Sequence, residues 1–291
     1  MEIRVLRYFL ETAREGNMTR AAERLFISQP TMSKQLKELE NELGAKLFIR
    51  SNYSIRLTEA GMLLRDRAED IISLVDKTEA EFKSLEETNS GDIFVGAPES
   101  EAMSLFAEAV YSLQKNYPKI RCNIYSGILS DVCERLDKGL LDFAIVMSNV
   151  DLSKYNYLEL PMKDTWGILM RKDDPLSGKN AFDVSDLDKL PLICSRQWID
   201  QESPSWLGSA AKDMNIVATY NLVYNGSVMV KAGMGYAVVL DKLVNTGEDS
   251  ELVFRPLSSV PQTKMYVIWR KYQTFTPIAD LLLQELTARL C

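Results

Sequence analysis

The sequence predicts a multidomain chain, α+β at its N-terminal end and α/β beyond it. A small helical unit and one long helix precede a region built on a mostly parallel sheet. Three observations carry that expectation. Apolar residues recur at helical spacing through the first 45 residues. A helical pattern then continues from Thr58 to about residue 88. After Asn89-Ser90-Gly91, short apolar runs alternate with helical stretches in a β-α-β-α-β rhythm, which argues for an open sheet flanked by helices. The 291 residues suffice for about two domains, each with its own core.

Val5, Leu6, Phe9, Leu10 and Ala13 form one stripe over residues 1–15, and Gly16-Asn17 ends that helix. Thr19 is the expected N-cap of a second, short helix, TRAAERLF. Ser28 is the cap of a third, with Pro30 in its first turn, where no backbone N–H is needed. Met32, Leu36, Leu39 and Leu43 face a core, so Gln29, Ser33, Lys34 and Lys37 point elsewhere; Gly44 stops the helix. Residues 45–57 read as two short strands around Ser51-Asn52. The long helix carries Leu63, Leu64, Ala68, Ile71, Ile72, Val75, Phe82 and Leu85. It would span about 46 Å, and its stripe resembles a coiled-coil seam awaiting a partner helix; the alternative is the core helix of one domain.

Beyond it, DIFVGA, IRCNIYSG and LDFAIVM read as strands separated by helices over 101–116 and SDVCERLDKG. WGILMRK, PLICSRQ, ATYNLVYN and GYAVVL form a second set of strands, with VSDLDKL and SVMVKAG as helical pieces. MYVIWR and the helix PIADLLLQELTARL close the chain. No internal repeat or low-complexity tract interrupts this order.

Composition narrows the chemistry. The chain has no histidine, which removes Ser-His-Asp and Cys-His catalysis and the commonest metal ligand. No enzyme activity, cofactor or metal is expected. No run of about 18 apolar residues offers a membrane span, and MEIRVLRYFLETAREG reads as a helix rather than an export signal. Cys122, Cys133, Cys194 and Cys291 lack metal-type spacing, so a reduced, cytoplasmic setting is expected. Cys122 and Cys133 read as small core residues, and Cys194, next to a candidate site, as the one thiol to test for redox activity. Net charge is −7, yet residues 1–60 hold ten basic and eight acidic residues, leaving the excess of acid to the remainder. A locally basic face on an acidic chain is compatible with a nucleic-acid partner.

MTRAAERLFISQPTMSKQLKELE is the most informative segment. Ala21 and Ala22 permit close helix packing, the apolar turn Leu25-Phe26-Ile27 follows, and the next helix has a polar N-terminal outer face. That is helix-turn-helix logic, in which the second helix enters the major groove, although a plain three-helix bundle fits the spacing too. The AAERL helix, SQPTMSKQLKELE, GAKLFIR and LTEAG together resemble the N-terminal domain of LysR-type transcriptional regulators. YPKIRCNIYSG, LDKGLLDFAIV, DPLSG and VKAGMGYAVVL resemble the regulatory domain of that family in the same order, so the resemblance covers nearly the whole chain.

The resemblance implies a winged helix-turn-helix over 1–57 and a dimerising linker helix over 58–88. It implies two α/β subdomains, 89–161 with 266–291 and 162–265, around a ligand cleft of the periplasmic solute-binding kind. It implies a homo-dimer or homo-tetramer on double-stranded operator DNA, modulated by a small-molecule effector. Thr19, Arg20, Gln29, Pro30, Thr31, Ser33, Lys34 and Arg50 match the DNA-contacting positions of the family. Lys34 stands where arginine is commoner, which keeps a donor but loses the planar fork. For the effector, the matching positions include Glu99, Ser100, Ser126, Ile128, Leu129, Ser148, Ser195, Arg196, Asn225 and Ser227. Ile128 and Leu129 make that wall more apolar than a simple carboxylate effector would need. A sensor or carrier without DNA binding is the rival reading, which Gln29, Ser33, Lys34 and Arg50 argue against.

Overall fold

The computed structural model describes residues 1–50, 54–86, 90–147, 150–198, 206–207, 214–258 and 260–290, in two compact units, 1–83 and 84–291. The first holds α1 (Ile3–Glu15), α2 (Met18–Arg24), α3 (Gln29–Leu43), the antiparallel strands β1 (Phe48–Arg50) and β2 (Ile55–Leu57), and most of α4 (Glu59–Glu86). α1 buries Val5, Leu6, Phe9 and Thr12 and ends at Gly16, whose φ of 59° is left-handed and returns the cap N–H to Thr12 O. Glycine holds that conformation without a Cβ penalty. Phe9, Met32, Leu36, Leu39, Leu47 and Phe48 form the core. Leu43, expected to join them, is exposed in the last turn before Gly44.

α4 divides the two readings of its stripe. Ala68 and Ile72 are buried in the core of the first unit, with Leu64 and Ile71 packed against it. Leu63, Leu74, Phe82 and Leu85 are exposed. The N-terminus of α4 is held by Thr58, whose hydroxyl donates to Lys46 O at 2.6 Å and accepts from the Gly61 N–H at 3.0 Å. A Cβ on Gly61 would lie 2.2 Å from Leu47 O, so the helix sits this close to the backbone only because residue 61 has no side chain.

The second unit begins with β3 (Ser90–Ala97), α5 (Met103–Asn116), β4 (Lys119–Ser126), α6 (Leu129–Asp137), β5 (Phe143–Met147) and β6 (Tyr155–Asp164). β7 (Trp166–Arg171), β8 (Leu192–Ser195), β9 (Ile216–Tyr220), α7 (Val223–Lys231), β10 (Tyr236–Leu240) and β11 (Leu252–Pro256) follow. β12 (Thr263–Arg270) and α8 (Pro277–Leu290) come last. Two five-stranded sheets result, in the orders β4-β3-β5-β12-β6 and β11-β7-β10-β8-β9.

Both sheets are mixed rather than mostly parallel. β3 pairs parallel with β4 and β5, and β8 with β9 and β10, but β12 runs antiparallel to β5 and β6, and β7 to β10 and β11. The antiparallel strands are those joined by the two crossings, at Thr165 and over 257–262; a chain arriving from the other sheet enters against the local direction. The sequence reading missed β6 and β11, which contain Pro161 and Pro256, residues that demote a strand pattern. The crossings are tied together where the Trp166 indole N–H donates to Thr263 Oγ1 at 3.0 Å.

Candidate functional site: the N-terminus of α3 and a cleft in the second unit

Local capping sets out the polar face of the first unit. The Asn17 side chain accepts from the N–H groups of Thr19 and Arg20 at 2.9 and 3.1 Å, so Asn17 and not Thr19 is the cap of α2. A capping side chain must precede the N–H groups it receives, and Thr19 already lies inside the helix. Thr19 and Arg20 are exposed, and the Arg20 guanidinium donates to Glu15 O at 2.7 Å. Ser28 caps α3, sharing a 2.7 Å hydrogen bond with the Thr31 hydroxyl. With Met32, Leu36 and Leu39 buried, Pro30, Thr31 and Lys34 are exposed and Gln29 and Ser33 half-buried at the start of the helix. The Lys34 ammonium lies 3.9 Å from Glu38, a loose surface pair that leaves it available. Arg50 pairs through its backbone with Ile55 in the two-stranded wing; its side chain and 51–53 lie outside the described residues.

Glu40 was missed by the sequence reading. It is buried in the last part of α3 and accepts from the Leu47 N–H at 2.9 Å, the Phe48 N–H at 3.4 Å and Lys46 Nζ at 3.2 Å, which ties the helix to the wing. Burial raises the carboxyl pKa, but these hydrogen bonds outweigh it and hold the group below the usual glutamate value. Its place four residues after Leu36, on the apolar face, was the available signal.

The second unit contains a cleft of about 410 Å³. Glu99 follows β3, Ser126 ends β4, Ile128 and Leu129 begin α6, and Ser195 ends β8; all five line it. They sit at the carboxyl ends of strands that run parallel, where chain segments diverge into helices and leave a crevice. The expected residues Ser100, Arg196, Asn225 and Ser227 do not line it. Ser100 is buried, donating to Asp164 Oδ2 at 2.6 Å and accepting from the Ala102 N–H at 3.0 Å. Arg196 is exposed and is not among the lining residues. Ser227 is buried and donates to Tyr224 O at 2.7 Å, while Asn225 is exposed. The reason is that β9 stops at Tyr220 and α7 starts at Val223, so the strand-to-helix junction is Asn221-Leu222. Ser148 lies outside the described residues.

Glu99 is half-buried in the cleft wall. Its Oε2 accepts from the Val223 N–H at 2.6 Å, capping α7 from the other sheet's chain segment. Asp164, at the first crossing, is pushed above the usual aspartate range by burial, against the hydrogen bond from Ser100. Cys194 is buried in the second sheet and its thiol is pushed up to about 12 by burial. That overturns its standing as a redox candidate, because a reactive thiol needs thiolate character and access. The sequence reading also missed the aromatic lining of Tyr125, Trp166, Trp206 and Tyr220, which four separate segments contribute.

Comparison with known proteins is consistent across the chain. Residues 3–62 match the family described as bacterial regulatory helix-turn-helix protein, lysR family, and residues 86–291 match the LysR substrate binding domain. The HTH-type transcriptional regulator YtlI of Bacillus subtilis is 32% identical over 77% of this chain and 74% of its own length. The HTH-type transcriptional regulator BudR of Raoultella terrigena is 28% identical over 94% of this chain and 96% of its own length. CbnR, a LysR family transcriptional regulator, superposes with a TM-score of 0.77 over the full length of both chains at 18% identity. With its capped α3, its two-stranded wing and its two mixed sheets, the chain belongs to the LysR family of DNA-binding transcriptional regulators.

Proposed function

We propose that α3 reads operator DNA through Gln29, Pro30, Thr31, Ser33 and Lys34, with Thr19, Arg20 and Arg50 on the phosphate backbone. A small molecule held in the cleft then shifts the population of oligomer shapes on that operator. The observation that carries this reading is the division of α3 itself. Its buried face is complete with Met32, Leu36 and Leu39, while its capped N-terminus presents exposed Pro30, Thr31 and Lys34. Such a helix end combines a dipole favourable to phosphate with side chains that reach base edges. CbnR has been solved complexed with its target DNA, on a chain of the same fold with a TM-score of 0.76.

The working partition is 1–57 for DNA, 58–88 for assembly as a homo-dimer or homo-tetramer, and 89–161 with 266–291 and 162–265 as the halves that hold the effector. The exposed apolar residues of α4 support the assembly role. No helix among the described residues is long and apolar enough to cross a membrane, and a cytoplasmic regulator without enzymatic activity fits the chain best. A gel shift with the upstream region of its own gene, with heparin as competitor, tests the reading. Retarded DNA that Lys34→Ala weakens supports it; equal retardation by both proteins at several salt concentrations refutes it.

A further inference from the structure

We propose that the cleft selects an organic cation, an ammonium group on an apolar body, with Glu99 and Asp131 as the specificity-determining carboxylates. This rests on the reading of the cleft as the effector site. Three features of the cavity lead to it. Its charge comes first: the carboxylates among its described lining residues are Glu99 and Asp131, with no lysine or arginine. A carboxylate ligand would therefore enter a cavity of its own sign.

The second feature concerns the helix ends that would otherwise favour an anion. α7 has Leu222 at its N-cap and α6 has Ile128, and neither supplies a side-chain cap. Glu99 Oε2 occupies the first position by accepting from the Val223 N–H at 2.6 Å, and Asp131 stands in the first turn of α6. The chain's own carboxylates thus already neutralise the positive ends of both helices. Glu99 Oε1 has no hydrogen-bond partner among the described residues and remains an acceptor.

The third feature is the wall. The Trp166 and Trp206 rings lie 5.9 Å apart at 58° and form an aromatic corner, with Trp166 held by its hydrogen bond to Thr263. Aromatic faces beside carboxylates attract ammonium groups through the ring quadrupole. Arg135 does not line the cleft but stacks at 4.0 Å over Tyr125, so that ring is already engaged by a cation. Ile128, Leu129 and Leu240 supply apolar surface for the rest of the ligand.

The test is calorimetric titration of the full-length protein with 2-phenylethylamine, 2-phenylethanol and 3-phenylpropionate, and with their cyclohexyl counterparts. Tryptophan fluorescence reports cleft occupancy through Trp166 and Trp206. The amines are expected to bind at least about tenfold more tightly than the acids, an advantage of about one power of ten being typical of one charge-assisted contact. Glu99→Gln should remove that advantage and leave the alcohols unchanged. Asp131→Asn, at an exposed position, should reduce it about threefold and carries the test if Glu99→Gln does not fold. Acids that bind more tightly than amines, with a fluorescence change, overturn the proposal while the cleft remains an effector site. If no head group binds and fluorescence stays constant, the effector reading of the cleft fails and the proposal fails with it.

Discussion

Glu40 offers the most direct test of how α3, the proposed DNA-reading helix, is kept in register with the wing. Leu47 and Phe48 are both buried, so their N–H groups cannot turn to water when the carboxylate is removed. The Leu47 bond at 2.9 Å is a full hydrogen bond to a charged acceptor and the Phe48 bond at 3.4 Å a marginal one. Lys46 is largely exposed and adds little. Glu40→Ala should therefore cost about 2–4 kcal/mol, and Glu40→Gln, which keeps one acceptor oxygen, about 1–2 kcal/mol. For Glu40→Ala that is a rise of about 30- to 1,000-fold in the open population of this segment.

Hydrogen exchange of the amides at 45–48 in the full chain measures that population directly. The protein has no tryptophan in residues 1–83, so an unchanged tryptophan signal certifies that the second unit is intact. The pH dependence fixes the sign. The folded carboxyl titrates below its unfolded value, so its contribution is complete above about pH 4.5 and is lost as the pH falls through the folded pKa. The gap between wild type and Glu40→Gln should close in that acid range. Exchange at 45–48 that is identical in wild type and Glu40→Ala near neutral pH would refute the reasoning.

Lys34→Ala should weaken operator binding by about 1–3 kcal/mol if the ammonium reads a base, and fluorescence anisotropy across a series of operator variants would show specificity relaxing at one position. Gly61→Ala places a methyl 2.2 Å from Leu47 O, and a backbone shift costing about 1–3 kcal/mol should lower the unfolding midpoint of the first unit; an unchanged midpoint counts against the close approach. Replacing both Phe82 and Leu85 with Glu should lower the mass seen by light scattering without unfolding the first unit, because both are exposed, whereas Ile72 belongs to its core. Cys194 should resist iodoacetamide in the native protein and react once denatured, since burial keeps its thiol protonated; rapid native labelling would contradict its placement.

Helical spacing alone determined α1, α3 and the start of α4, because each of these buries one continuous stripe and is bounded by a cap or by glycine in the chain itself. The alternation after residue 89 determined most strands of the second unit for the same reason. The family resemblance marked Glu99, Ser126, Ile128, Leu129 and Ser195 for the cleft, and these five line it. Only tertiary structure decided the rest. The partner of Glu99 is the N–H of Val223, distant in sequence, and no local pattern reports which helix end a carboxylate will cap. Glu40 is buried because the backbone of Leu47 and Phe48 folds over it, and Ser100 leaves the cleft because Asp164 takes its hydroxyl. The mixed sheets follow from two crossings whose direction is set by packing. Periodicity records how one segment divides between core and solvent; contacts between segments distant in the chain depend on where the whole chain brings them.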